Sequence, residues 1–399
     1  MCDNETVMKY RKDKHGEEIS VLGYGCMRFS RRGTGIDLQK TEQEILQAVS
    51  LGVNYFDTAY IYPGSEETLG TILERSRLRD KVKIATKLPQ YLIGSANALD
   101  RYFEEELRRL KTDYIDYYLM HMLTDIQAWN KLKRLGIEEW ISRKKASGQI
   151  RNIGFSYHGN TEMFIKILED YDWDFCQIQY NYMDEYAQAG RPGLLRAHEL
   201  GIPVIIMEPL RGGKLVTLLP AEAKARIAAD SRHRSAAELA FAWLFDQPEV
   251  TCVLSGMNSL EMVQENCRIA AATEVHSLTE EDAALYEEIR TIIRKSVKIG
   301  CTECRYCMPC PQGVAIPDIF RAYNRMYTEG KSNGRNDFMM TVALRKDPGF
   351  TEKCIRCGTC TSHCPQNLAI PDLLGQAQKE LLPPLYRAGT AIARKFLNR

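Results

Sequence analysis

The chain lacks the features that would direct it to nucleic acid, to a membrane or to secretion. Its 399 residues carry 53 Lys and Arg against 52 Asp and Glu, so no basic excess is available to neutralise a row of phosphates. No apolar run reaches the roughly 18 residues of a membrane-spanning helix. Residues 1–16 are polar, without the apolar centre of a signal peptide. We therefore expect a cytoplasmic protein that binds neither nucleic acid nor membrane.

A complete Gly-rich dinucleotide turn is also missing. Eight short apolar runs alternate with amphipathic segments between residues 21 and 256, the pattern of a parallel sheet covered by helices. Eight βα units in about 250 residues fit a closed (β/α)8 TIM barrel. An open doubly wound sheet is the alternative, but it usually carries G-x-G-x-x-G after its first strand, and Gly23-Tyr-Gly25 is only a fragment of that. The predicted strands span 21–26, 54–58, 82–86, 115–121, 150–156, 175–179, 203–208 and 251–255.

Cysteine is the residue in excess. Eight of the 13 cysteines lie between Cys301 and Cys364, and a reducing cytosol argues against disulfides. The second of two runs has the bacterial [4Fe–4S] spacing, and the first lacks one residue before its fourth cysteine. In such runs three thiolates bind one cluster and the fourth, followed by proline, binds the other. A pair of four-thiolate zinc sites is the alternative. The predicted ligand sets are Cys301, Cys304, Cys307 and Cys364 for the first cluster, and Cys354, Cys357, Cys360 and Cys310 for the second.

A short internal repeat follows the two runs. Cys310-Pro-Gln-Gly-Val-Ala-Ile-Pro-Asp aligns with Cys364-Pro-Gln-Asn-Leu-Ala-Ile-Pro-Asp, so each run is expected to lead into a helix. Forty-three residues separate Cys310 from Cys354, including a helical pattern at 317–327. That insertion is long for a compact ferredoxin with β-hairpins. We therefore predict a mostly helical, ferredoxin-like two-cluster domain.

These patterns divide the chain into four predicted parts. Residues 1–280 form the barrel, preceded by a β-hairpin within 7–22, and 281–299 form a linker helix. Residues 300–378 form the ferredoxin-like 2×[4Fe–4S] domain, and 379–399 a basic amphipathic tail that packs on its own protein or lies on a partner or membrane surface. Within the barrel, acids that follow Thr41 and Ser65 predict these two residues as helix N-caps.

Four ionisable residues follow the predicted strands at their carboxyl ends, where TIM barrels carry their active sites. Asp57 ends the second strand, Tyr62 lies in the loop after it, Lys87 ends the third strand and His121 the fourth. Singly, each has a structural explanation, such as helix capping for an aspartate. Together on one rim they are candidates for catalysis.

The sequence around these four residues resembles the aldo-keto reductase family. The similarity covers most of residues 7–272, and with the two cluster motifs the whole architecture resembles the ferredoxin-containing branch of that family. It implies an oxidoreductase that interconverts a carbonyl and an alcohol. The segments that carry it are Phe56-Asp-Thr-Ala-Tyr-Ile-Tyr62-Pro-Gly-Ser-Glu66, Ile84-Ala-Thr-Lys87, Leu110-Lys-Thr-Asp-Tyr-Ile-Asp-Tyr-Tyr-Leu-Met-His121, Gly154-Phe-Ser156, Gln177-Ile-Gln179-Tyr-Asn181 and Gln264-Glu-Asn266.

The chemistry of these four side chains suits carbonyl reduction. A carbonyl that receives hydride develops negative charge on oxygen, and the Tyr62 hydroxyl can protonate it if its pKa, ordinarily near 10, is lowered. The ammonium of Lys87 would lower that pKa, and Asp57 would keep Lys87 charged and oriented. His121 would donate a hydrogen bond to the substrate oxygen.

The resemblance also implies a nicotinamide cofactor, NAD(P)(H). Ser156 and Gln177 would bind its carboxamide, and Met207 stands where many members stack a tyrosine on the ring. Where NADP-dependent members present Lys and Arg to the 2′-phosphate, this chain has Gly256 and Met262, so that clamp is absent or relocated. His158 and Glu208 are polar rim residues without an assigned role. The further candidates, at the phosphate-binding corner after strands seven and eight, are Arg211, Gly212, Gly213, Lys214, Ser255, Gly256 and Asn266.

Three functions remain open at this level. The first is a carbonyl–alcohol oxidoreductase with Tyr62 as general acid/base, linked through its clusters to a ferredoxin- or flavodoxin-type partner. A hydride carries two electrons, whereas a cluster passes one electron at a time. Electron transfer between the two therefore needs a group that accepts electrons both singly and in pairs, such as a flavin (FMN). The second is an NAD(P)H-dependent carbonyl reductase with structural clusters, and the third a redox-sensing or regulatory protein on the same scaffold. An intact catalytic set favours the first two.

Overall fold

The computed structural model describes residues 7–159, 161–186, 188–301, 305–328, 330–343 and 347–397. The chain forms two compact units, Met1–Gly212 with Ala236–Thr279, and Gly213–Ser235 with Glu280–Arg399. Within the described ranges, no helix combines the length and apolar character needed to cross a membrane.

Eight parallel strands of the first unit close into a barrel. They follow one another in the order β10-β11-β12-β3-β6-β7-β8-β9, and β9 pairs with β10 to complete the ring. Every barrel strand ends within two residues of its predicted limits, so the (β/α)8 TIM barrel is confirmed and the doubly wound sheet is wrong. The described strands are β1 (Tyr10–Lys12), β2 (Glu18–Ser20), β3 (Leu22–Gly25), β4 (Arg31–Arg32), β5 (Gly35–Ile36), β6 (Tyr55–Asp57), β7 (Lys83–Leu88), β8 (Ile115–Leu123), β9 (Ile150–Tyr157), β10 (Phe175–Gln179), β11 (Val204–Met207) and β12 (Val250–Ser255).

Aromatic and aliphatic side chains fill the barrel interior. Tyr55, Tyr117 and Phe175 pack there with Cys252, one of the cysteines outside the cluster motifs. At Gly23 of β3, a Cβ atom would lie 2.8 Å from a methyl carbon of Leu254 and 2.9 Å from Cys252 Sγ, so this strand comes too close to its neighbours for a side chain. Burial on both faces explains why these strands are almost continuous apolar runs.

A short antiparallel hairpin precedes the barrel. Strand β1 pairs with β2 in the register Tyr10↔Ser20, and the Tyr117 hydroxyl of β8 donates to Asp13 Oδ2 at 2.6 Å. The sequence pattern predicts the hairpin strands at Val7–Tyr10 and Ile19–Leu22, and the observed strands lie closer to the turn. Val21 connects the hairpin to the barrel, because its N–H donates to Lys9 O at 2.9 Å and its carbonyl accepts from Val253 N–H at 2.8 Å.

Most of the described helices are amphipathic, but α10 is buried almost all round. Two predicted N-caps are wrong. Asp37 caps α1 by accepting from Lys40 N–H, so Thr41 lies inside the helix. Gly64 caps α2, because the Ser65 hydroxyl bonds to Thr58 Oγ1 and to Cys26 O instead of a helical N–H. The described helices are α1 (Leu38–Ser50), α2 (Ser65–Ser76), α3 (Ala96–Leu110), α4 (Ile126–Arg134), α5 (Ile137–Ala146), α6 (Thr161–Glu169), α7 (Gly190–Glu199), α8 (Lys214–Thr217), α9 (Ala221–Ala228), α10 (Ala236–Phe245), α11 (Leu260–Ala272), α12 (Glu280–Ser296), α13 (Ile316–Thr328), α14 (Lys331–Phe338), α15 (Thr359–Ser362), α16 (Ile370–Leu381) and α17 (Pro384–Leu397).

The second unit is helical. Arg234 Nη2 lies 2.7 Å from Asp282 Oδ1, and Arg226 of α9 pairs with Glu288 of α12. These ion pairs join 213–235, which falls within the predicted barrel range 1–280, to the helices from Glu280 onward.

The internal repeat of the second unit is visible in its backbone. Arg305 (φ 69°) and Gly358 (φ 80°) follow the second cysteine of each run, and Gly313 (φ 71°) and Asn367 (φ 50°) occupy matching positions after the fourth. Helices α13 and α16 both begin at Ile-Pro-Asp and share one buried core. The prediction of a mostly helical C-terminal domain is confirmed.

Candidate active site and cluster-binding site

Lys87 lies at the centre of a buried polar group at the carboxyl rim of the barrel. Its Nζ is 2.6 Å from Asp57 Oδ1 and donates to the carbonyl of Thr58 at 2.6 Å. Gln177 Nε2, from β10, donates to the other carboxylate oxygen, Asp57 Oδ2, at 3.0 Å. All three side chains are buried. Both carboxylate oxygens are therefore bonded, which a buried ion pair requires to offset the cost of desolvation.

Tyr62 is held beside Lys87 by a tight turn after β6. Its N–H donates to Ala59 O and its carbonyl accepts from Ser65 N–H, each at 3.0 Å. Lys87 Nζ lies 5.2 Å from the Tyr62 ring centroid, and the His121 ring stands edge-on to Tyr62 at 6.0 Å. The fold thus brings together the four side chains that the sequence singled out at this rim.

A β-bulge orients His121. The register between β8 and β9 shifts between Met120 and Leu123, and Met122 takes a positive φ of 56°. The Met122 N–H donates to Ser156 Oγ at 2.8 Å. Ser156, predicted from the family resemblance to bind nicotinamide, therefore also fixes the bulge that carries His121, a common role of bulges at active sites.

Burial and the charge of Lys87 have opposite effects on the pKa of Tyr62. Burial raises the pKa of Tyr62, although the ammonium of Lys87 and its hydrogen bond act in the opposite direction. The expected effect of Lys87 is present, but desolvation outweighs it. Burial lowers the pKa of Lys87, yet Asp57 and Tyr62 raise it overall, so Lys87 stays charged. Burial and the Lys87 charge hold the pKa of His121 well below its usual value, which leaves a neutral imidazole.

Two orphaned atoms test whether a nicotinamide fits here. Gln177 Oε1 and His121 Nδ1 are buried side-chain atoms without a hydrogen-bond partner among the described residues. A carboxamide NH₂ is the donor that the Gln177 oxygen lacks. The unpartnered acceptor of Gln177 therefore fits the carboxamide of a nicotinamide.

The phosphate-binding corner contains several of the other candidates. Arg211 Nε lies 3.0 Å from the buried carboxylate of Asp184, so its charge is already compensated. Asn266 Nδ2 donates to Ser255 Oγ at 3.1 Å. Met207 packs against the interior core of the barrel. Gly212 belongs to the first unit, whereas Gly213 and Lys214 begin the second.

A cavity of ≈ 200 Å³ lies beside Tyr62. Phe29, Ile36 and Ile61 give it an apolar wall, and Arg31 of the β4–β5 hairpin contributes a guanidinium. Tyr62 and Ser65 also line this cavity, and its volume suits a small organic molecule.

A buried amide chain near the rim is absent from the sequence predictions. His158 Nδ1 contacts Gln188 Oε1 at 3.2 Å, Gln188 donates to Gln179, and Gln179 Nε2 donates to Asp184 Oδ2 at 2.9 Å. Burial lowers the pKa of His158 to about 4. His158 was identifiable as a polar residue after a strand, but Gln188 lies in a loop and carries no motif.

The described cysteines of each predicted cluster set border a cavity in the second unit. Cys310 joins Cys354, Cys357 and Cys360 around a cavity of ≈ 150 Å³. Cys301, Cys307 and Cys364 border a second cavity of ≈ 20 Å³. Cys307 also contributes to the larger cavity, and Cys304 lies outside the described residues. The described cysteines are thus grouped as the two predicted ligand sets require, and thiolates are the donors that iron–sulfur clusters take.

The larger cavity lies near the surface. Cys357 is exposed, and the neighbouring Ile355 is 65% exposed. The Arg356 N–H lies 3.4 Å from Cys354 Sγ, the kind of donation to sulfur that tunes a cluster.

Known proteins resemble both units. The profile described as "Aldo/keto reductase family" matches residues 21–291, and "4Fe-4S dicluster domain" matches residues 300–369. The chain is 28% identical to L-galactose dehydrogenase of Arabidopsis thaliana, over 68% of this chain and 90% of that one. It is 26% identical to the holo form of aldo-keto reductase AKR11C1 from Bacillus halodurans, with a TM-score of 0.58 over 71% of this chain and 96% of that one. A Klebsiella pneumoniae aldo/keto reductase in complex with NADP and acetate shares the fold at 24% identity, with a TM-score of 0.57 over 71% and 96% of the two chains.

Proposed function

This chain belongs to the aldo/keto reductase family and carries a 4Fe–4S dicluster domain, and we propose that its barrel interconverts a carbonyl and an alcohol with Tyr62 as general acid/base. The observation that carries this proposal is the assembly of Tyr62 with Lys87, Asp57 and His121 at one rim. NAD(P)H is the proposed hydride donor, supported by the orphaned Gln177 oxygen and by the NADP named for a structural neighbour.

Each residue has a defined task in this proposal. When bound, a reduced nicotinamide would supply the hydride that adds to the carbonyl carbon. The Tyr62 O–H bond breaks and its proton passes to the carbonyl oxygen, while charged Lys87 stabilises the phenolate left behind. Asp57 keeps Lys87 charged and directed. Neutral His121 donates a hydrogen bond to the oxygen as its negative charge develops. Solvent returns the proton to Tyr62 before the next turnover.

The cavity beside Tyr62 limits the substrate class. Its wall of Phe29, Ile36 and Ile61 suits an apolar body of modest size, and Arg31 suits substrates that also bear an anionic group. We therefore propose small, partly apolar carbonyl compounds and the corresponding alcohols as substrates.

The clusters form the second part of the proposal. We propose that Cys301, Cys304, Cys307 and Cys364 hold one [4Fe–4S] cluster and Cys354, Cys357, Cys360 and Cys310 the other. The exposure of Cys357 supports exchange of single electrons with a ferredoxin- or flavodoxin-type carrier. A flavin such as FMN would let these electrons meet a two-electron hydride step. Purely structural clusters are the competing account.

Anaerobic purification tests both parts. We expect about eight irons per chain and NADPH- or NADH-dependent reduction of at least one compound in a panel of small aldehydes and ketones. Release and fluorescence assay of any bound flavin tests the coupling. Absence of turnover across the panel would favour the regulatory alternative, and full carbonyl reduction by Cys354→Ser would favour structural clusters.

A further inference from the structure

Arg28 lies in the short 3₁₀ turn Cys26–Arg28 that follows β3. Its Nη1 donates to the carbonyl of Gly212, after β11, at 3.2 Å. A Cβ atom at Gly256, after β12, would lie 3.1 Å from both Cβ and Cδ of Arg28. The aliphatic part of Arg28 therefore covers Gly256, and its guanidinium reaches Gly212.

The Arg28 side chain can take this position only because residues 212 and 256 are glycines. A Cβ at Gly212 would lie 2.9 Å from Arg28 Nη2, and Gly212 has a φ of 69° that favours glycine. Gly256 is the position at which the family resemblance expects a lysine for the cofactor. A side chain there would collide with the stem of Arg28, so Arg28 and Gly256 are complementary.

Arg28 also keeps its charge available. The side chain is exposed, and no described Asp or Glu oxygen lies within 4.0 Å of its guanidinium. Arg211, in the same corner, is instead paired with Asp184 at 3.0 Å. Of these two arginines, Arg28 is the one whose charge the protein has not compensated.

We propose that Arg28, over the small residue at position 256, binds the pyrophosphate of the nicotinamide dinucleotide, a contact distinct from the missing 2′-phosphate clamp. This inference rests on the proposed function. The loops after the seventh and eighth strands form the usual phosphate site of a TIM barrel, and the planar guanidinium matches two phosphate oxygens at once. Gly212 and Gly256 follow β11 and β12, the two strands that come after β10 and its Gln177 around the barrel.

Direct binding measurements test this assignment without relying on turnover. Dissociation constants for NADH and NADPH are measured by quenching of intrinsic fluorescence, for the full wild-type chain, Arg28→Met, Arg28→Lys and the control Arg32→Met. Arg32 is exposed in β4 and lies four residues along the same segment. Far-ultraviolet circular dichroism establishes that each variant is folded.

We expect Arg28→Met to weaken both cofactors by the same factor, about ten- to a hundredfold, the usual loss for one charge-assisted contact. Arg28→Lys should lose less, and Arg32→Met nothing. Unchanged affinity of Arg28→Met would overturn the inference while leaving the proposed function intact. Weakening of NADPH alone would also overturn it, because the contact would then be to the 2′-phosphate. Failure of the wild type to bind either cofactor would reject the proposed function itself.

Discussion

In the barrel, Lys87 is bonded to two protein oxygens, whereas in the helical unit the cysteines border cavities that their own side chains do not fill. The barrel site is formed by partners from β6, β7 and β10 that hold one another. The cysteines of the helical unit pack at the margin of its core, against residues such as Phe320 and Leu374. The same chain thus holds two candidate redox sites in different ways.

This difference has a thermodynamic meaning. A site whose charges are paired within the protein is organised before any cofactor arrives. Where cysteines at the margin of a core bind a metal cluster, the free energy of binding adds to the free energy of folding, because the ligands are assembled only in the folded state. We expect the helical unit to depend on its clusters and the barrel to fold without them.

Loss of one cluster should have the largest effect and tests the comparison directly. Cys354→Ser should reduce iron from about eight to about four per chain and disorder the helical unit. Thermal unfolding followed by circular dichroism should show an early transition for that unit and an unchanged later one for the barrel. Cys267→Ala, which removes a buried thiol of α11, is the matched control and should retain all the iron.

A single unshifted transition in Cys354→Ser, with half the iron lost, would contradict this contrast. It would mean that the helical unit is organised without its clusters, as the barrel is.

Breaking the ion pair of the barrel should have the next largest effect. Lys87→Met leaves Asp57 buried without its cation, and should lower the free energy of unfolding of the barrel by about 3–5 kcal/mol. Urea titration of the barrel transition measures this loss. The double variant Asp57→Asn/Lys87→Met removes the stranded charge and should recover part of the stability. Equal losses in the single and double variants would show that the pair does not organise the site.

A smaller effect concerns two acids behind the barrel site. Glu106 is fully buried, accepts from the Tyr118 hydroxyl at 2.6 Å and has one oxygen without a partner among the described residues. Burial raises its pKa well above the usual range, and burial raises the pKa of Glu66 to about 7. Acids whose pKa is higher in the folded state than in the unfolded state bind more protons when the protein is folded. The stability of the barrel should therefore fall as pH rises from about 4.5 through 7.

The substitution Glu106→Gln should remove part of this loss of stability with rising pH. The variant should match the wild type near pH 4.5 and exceed it at pH 8 by about 1–3 kcal/mol, because the amide carries no charge to desolvate. Urea titrations at the two pH values measure the difference. Glu104→Gln is the control, since Glu104 is an exposed acid on the same helix, α3. An identical pH dependence in Glu106→Gln and the wild type would exclude this origin.

Much of the architecture could be predicted from the sequence, for a physical reason. Buried parallel strands are continuous apolar runs, and the side chains at their carboxyl ends must converge, so Asp57, Lys87 and His121 could be placed on one rim. The grouping of Cys310 with Cys354 followed from spacing alone. The two N-caps at Thr41 and Ser65 failed, since competing caps at Asp37 and Gly64 decide where a helix begins.

The missed features are contacts that no local pattern encodes. The carbonyl of Thr58 that accepts from Lys87 has no side-chain signature. The bulge at Met122 depends on an acceptor, Ser156, from the next strand. Arg28 gains its significance only when the fold brings it over Gly256.

The central claim is that Tyr62 is the proton donor of the hydride-transfer site in the barrel. Its most direct test measures NADPH-dependent carbonyl reduction, NADPH affinity and iron content on the same anaerobic samples of the wild type and Tyr62→Phe. We expect turnover to fall at least ~100-fold, with affinity and about eight irons per chain unchanged. Turnover by Tyr62→Phe at the wild-type rate would contradict the account.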